Sequence, residues 1–173
     1  MAVGGSTTVG FQARGLIDVY NDTKSKDILE DVNLRDLLDD AGIDIADLED
    51  VKLAGITYRV TKADPDPNRR IMGDVSAHRG LGADTTIVDN FDVVVNTATT
   101  EQTAPLTPEG VQFINNLLAE LLREAKGGPA ATNTTITYRV TGVSSPVGVP
   151  SDFDWELKIK LTIKGRIKVT MIG

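Results

Sequence analysis

The string ITYRVT occurs twice, at residues 56–61 and 136–141. Chance identity of six residues in so short a chain is roughly a one-in-a-thousand event, and a true repeat should leave further matches at the same offset. It does: Phe11 falls on Phe91 and Leu37-Leu38 on Leu117-Leu118, all 80 residues apart. Duplication is the stronger reading against two strands that converged on a good β sequence. Phe11, Phe91, Tyr58 and Tyr138 make up half of the eight aromatics, so the repeat is expected to organise the core.

Each half then reads as one strand–helix–strand–strand unit, residues 1–82 and 83–173, the two packed as one compact domain. The first strands are expected at residues 9–20, with Val9, Phe11, Ala13, Ile17 and Val19 on one face, and at 86–97, with Ile87, Phe91, Val93 and Val95 aligned. Thr107, Pro108 and Glu109 open a helix whose apolar stripe is Val111, Ile114, Leu117, Leu118 and Leu121, closed by Gly127-Gly128. In the first half Asn33 caps a shorter helix over residues 34–41, closed by Gly42, with a further turn near 45–48.

The ITYRVT strands put Ile, Tyr and Val on one face and Thr, Arg and Thr on the other, so one face is buried and one wet. Returning strands are expected at residues 70–78 and 154–172. In the last, the apolar residues from Trp155 to Met171 all fall on odd positions; a hairpin turning at 164–166 keeps that face, as does one long strand. The hairpin is favoured because strands so long are uncommon. The fold class is therefore α+β but mainly β: duplicated units forming a β-sandwich or barrel-like core with two helices.

Chemistry is sparse. The chain has no cysteine, which excludes disulfides, thiolate metal sites and cysteine nucleophiles, and one histidine, His78, which reads as a polar strand-end residue. No dinucleotide, phosphate-loop or nucleophile-elbow pattern appears, and Gly80-Leu81-Gly82 reads as the link between halves. Asp64, Asp66 and Asn68 alternate like the first ligands of a calcium loop, but Arg69 and Val75 stand where that loop needs glycine and glutamate. Neither a cofactor nor a metal is expected. Acidic pairs such as Glu30-Asp31 and Asp39-Asp40 are too numerous to single out a hydrolase site.

Charge layout says more. Residues 26–50 carry ten acids against two bases, and the polar face from Glu156 to Lys168 is largely lysine and arginine. Either these segments face solvent or meet within one molecule, or they meet between molecules in a head-to-tail contact. The candidate assembly contacts are Asp36, Asp39, Asp40 and Asp47 on the acidic side, and Lys158, Lys160, Lys164, Arg166 and Lys168 on the basic side.

A net charge of −7 argues against nucleic acid as a general partner. The start of the chain lacks the basic and apolar regions of a secretory signal, and no apolar run is long enough for a membrane span, so a soluble protein is expected. The expected function is a non-enzymatic structural protein that self-assembles, as a virion (capsid, tail or decoration) or surface-filament subunit whose main partner is itself. The competing expectation is a secreted or surface-anchored binding module enclosing an apolar or glycan ligand. An acid-residue hydrolase stands third.

Overall fold

The structure, a computed structural model, describes residues 2–16, 18–31 and 33–167. Ile17, Lys168, Val169 and Met171, placed on strands by the sequence reading, lie outside these residues. Among the described residues eight strands and two α-helices follow in order: β1 (Ala2–Gly15), β2 (Val19–Asp27), α1 (Leu34–Ala41), β3 (Ile43–Lys62), β4 (Arg70–Arg79), β5 (Thr85–Val94), β6 (Gln102–Thr103), α2 (Pro108–Ala125), β7 (Thr135–Ser145) and β8 (Ser151–Ile167).

Both helices form where local signals place them. Thr107 accepts the Gly110 N–H at 2.9 Å, Pro108 occupies the first turn, and Ile114, Leu117, Leu118 and Leu121 are buried. Asn33 caps α1 through the Asp36 N–H at 3.2 Å, and Gly42, at φ 71°, ends it in the left-handed region open to glycine. The turn expected near residues 45–48 is instead the start of β3, because Ile43 and Leu48 enter a ladder with Ile167 and Gly165.

The strands form two four-stranded antiparallel sheets, β1-β8-β3-β6 and β2-β7-β4-β5, here sheets A and B. The ladders β1·β8, β2·β7, β3·β6 and β4·β5 show the chain doubled back on itself and then wrapped, the jelly-roll connectivity. Each sheet takes strands from both halves of the chain. Inward residues of the two sheets, among them Phe11, Ile56, Ile159 and Leu161 from A and Tyr20, Ile87, Tyr138 and Val140 from B, share one core.

Two further expectations are corrected. The expected first strand is two, β1 ending at Gly15 and β2 starting at Val19, so each half reads strand–strand–helix–strand–strand. β2 escaped notice because only Tyr20 of its nine residues is fully buried, and β6 because it has two residues. The expected terminal hairpin is absent: β8 runs unbroken to Ile167, because β1 and β3 bond to it on both sides along most of its length.

α2 packs against β3 and β5 and covers one end of the gap between the free edges of the two sheets. There Asn115 accepts the Leu53 N–H at 2.8 Å, satisfying a donor where the β3·β8 register slips. No helix among the described residues is long and apolar enough to cross a membrane.

Candidate functional site

The predicted charge contacts separate into two groups. Arg166 donates to Glu49 at 2.8 Å and Lys160 pairs with Glu101, so part of the basic strand is answered within the molecule. Ladder pairing of Ile43 with Ile167 brings the end of α1 and the end of β8 to one end of sheet A. Among the described residues, no ion pair engages Asp36, Asp39, Asp40, Asp47, Lys158 or Lys164. Lys168 lies outside them.

A second surface went unnoticed in the sequence. Register places Val143 of β7 opposite both Val19 of β2 and Met72 of β4, so the three side chains form one row across the outer face of sheet B. They are 70%, 51% and 40% exposed for Val19, Val143 and Met72 respectively. Exposed Leu16 and Val147 sit in the adjoining turns, which Asp18 ties together: its carbonyl accepts the Ser144 N–H at 2.8 Å and its carboxylate the Gly148 N–H at 3.1 Å. A contiguous apolar patch on a protein surface marks an interaction site more often than scattered apolar residues do. The signal was phase: Val19 and Met72 each adjoin an inward residue, Tyr20 and Ile71, and Val143 is out of step with inward Ile136, Tyr138 and Val140.

Between the sheets lies an apolar cavity of about 300 Å3. Its depth is formed by Tyr20, Val75, Val88, Phe153, Trp155 and neighbours, and its mouth opens past exposed Asn90, Asp92 and Pro105. Two of the lining rings lie on one row of sheet B: Tyr20 pairs with Gly142, Gly142 with Gly73, and Gly73 with Phe91. No side chain stands between the two rings. Trp155 stacks on Phe11 with centroids 4.4 Å apart and donates its indole N–H to the Tyr20 oxygen at 3.1 Å, joining the sheets. Burial pushes the Tyr20 phenol well above the usual tyrosine range, against the lowering effect of the Trp155 bond.

Asp64 and Asp66 do structural work, the Asp66 carboxylate accepting the Asn68 N–H at 2.8 Å. The Asp64 carboxylate accepts the N–H groups of Asp66 and Asp152, at 2.8 and 2.9 Å, and its Oδ2 lies 3.4 Å from Nε of Arg69. Both side chains are fully buried. The Arg69 guanidinium donates to Ser144 Oγ and to the carbonyls of Pro146, Val149 and Pro150, pinning the β3–β4 loop to the β7–β8 loop. The residue that breaks the calcium pattern is thus the Asp64 counter-charge.

No family model matches the chain, and no curated protein matches it. Among solved structures it is similar to Desmodium yellow mottle tymovirus, at a TM-score of 0.41 and 7% identity, over 99% of this chain and 85% of that one. It is also similar to Turnip yellow mosaic virus, at a TM-score of 0.35 and 9% identity, over 95% of this chain and 96% of that one. Likenesses this distant carry no weight for fold or function here.

Proposed function

We propose that this chain is a non-enzymatic structural subunit that assembles with copies of itself, in a virion shell or a surface filament. The exposed row Val19–Val143–Met72 carries the reading, because it offers a flat apolar strip on rigid strands where water contact is unfavourable. The fold leaves the choice open, since viral capsid and lectin domains both use jelly rolls and function resides in sites. Asp36, Asp39, Asp40, Lys158 and Lys164, without ion pairs of their own, lie on α1 and β8 of sheet A and supply complementary charge for a second contact there.

Internal duplication belongs to the same proposal. A shift of four strands carries the order β1-β8-β3-β6 onto β5-β4-β7-β2, which is the order of sheet B. Any jelly roll has that equivalence, so the matched ITYRVT strings and Phe11/Phe91 are what favour a doubled ancestor.

Sedimentation velocity over a range of concentration and ionic strength tests assembly. Species larger than the monomer should grow with concentration; a monomer under every condition would sink the proposal. The cavity favours a second reading, a binding module for an apolar ligand, and its lining disfavours a glycan.

A further inference from the structure

We infer that the cavity between the sheets is a binding site for a neutral amphiphile, an apolar chain carrying an uncharged hydrogen-bonding head. The size is sufficient. About 300 Å3 lies at the lower end of the range of small-molecule sites and is twice the ~150 Å3 of an apolar protein cavity that takes up benzene. Water is a poor occupant of such a space, because a buried water needs two to four polar partners.

The polar groups specify the head. Deep in the cavity, the indole N–H of Trp155 is given to the Tyr20 oxygen and the Tyr20 hydroxyl is directed to Asp22 at 3.4 Å, so both donors are engaged and the inserted part must be apolar. At the mouth stand the Asn90 amide, the half-exposed Tyr58 and the Asp92 carboxylate. Asp92 is bound by Arg70, whose Nε donates to it at 2.6 Å. Next to them Asp74 accepts the Asn90 N–H at 2.8 Å, and its proximity raises the Asp89 carboxyl above the usual range. Arg70 answers Asp92, while the crowded Asp74 and Asp89 have no basic partner among the described residues, so the entrance stays negative and repels a carboxylate or sulfate head. A hydroxyl head meets Asn90 and Tyr58 with no such penalty.

The access route is a gap in the fold. β5 and β6 are the free edges of their sheets on the same side of the sandwich, and β6 has only two residues. α2 covers the stretch near Ile87, where Gly110 comes so close that a Cβ would lie 2.7 Å from the Ile87 Cα. The stretch from Asn90 to Val93 stays open.

Trp155 is the single tryptophan, so its emission reports on the cavity wall directly. Titration of the protein with decanol should give a saturable change in Trp155 emission and raise the melting temperature. Decanoate at neutral pH should bind at least about tenfold more weakly. Val75→Phe fills the cavity from within and Val93→Phe fills it from the half-exposed rim, so either one that folds should lose the response. Three results would each overturn the inference: no saturable response to decanol, an undiminished response in a folded filled variant, or equal affinity for decanoate.

Discussion

Gly73 lies opposite Gly142 in the β4·β7 ladder, so near that a Cβ built on Gly73 would fall 1.9 Å from the Thr141 carbonyl oxygen. A Cβ on Gly142 would fall 2.2 Å from the carbonyl of Met72. Both obstacles are backbone, so neither can swing aside. Gly142→Ala and Gly73→Ala should each lose on the order of 1–3 kcal/mol, the usual cost of forcing atoms into a packed core. Urea denaturation would read this as a lower midpoint with an unchanged slope.

Arg69 offers a sharper test of buried polar chemistry. Arg69→Met leaves the Asp64 carboxylate buried without its counter-charge and four acceptors without their donor. The expected loss is about 3–5 kcal/mol. Arg69→Lys should recover only part of it, since one ammonium cannot reproduce the planar fork. Chemical denaturation of the two variants beside wild type would check the order.

All three tyrosines are pushed above their usual range, each chiefly by burial. The native state therefore holds phenol protons that the unfolded chain releases near pH 10. Stability should fall as pH climbs beyond about 10, because the unfolded state then binds fewer protons. Phenolate absorbance should stay low in the native protein and appear together with loss of far-ultraviolet dichroism. A smooth titration of all three near pH 10 in folded protein would contradict the burial of Tyr20 and Tyr138.

β1 is a 14-residue edge strand, and free edges invite pairing with other chains. Asp31 covers part of it, accepting the Thr7 hydroxyl at 2.8 Å and the Thr8 N–H at 3.2 Å. The Thr7 bond, foremost, holds the Asp31 carboxyl below its usual range. Its contribution is present above pH ~4 and disappears as pH falls through the lowered value. Asp31→Ala should bind thioflavin more readily on storage at neutral pH, and wild type should approach the same behaviour in acid.

Much of the fold was legible where the signal is local. The caps Asn33 and Thr107, Gly42 and the stripe Ile114–Leu117–Leu121 all lie within a turn or two of the helix they define. Ile136, Tyr138 and Val140 are buried as alternation predicts. What escaped depends on pairing between distant residues. Whether β8 folds back or runs on is decided by β1 and β3, on either side of it. The apolar row needs the registers of three strands, and the cavity is lined by residues of both sheets. The acidic and basic segments were visible as charge, yet their partial closure through Arg166 and Glu49 is a property of the β3·β8 ladder.

The central claim is assembly through the outer face of sheet B. Electron microscopy of the purified protein beside Val143→Asp tests it most directly, with matched melting temperatures showing that the variant is folded. The account predicts ordered multi-subunit particles or filaments for wild type and dispersed monomers for Val143→Asp. Monomers in both preparations, or identical assemblies in both, would contradict it.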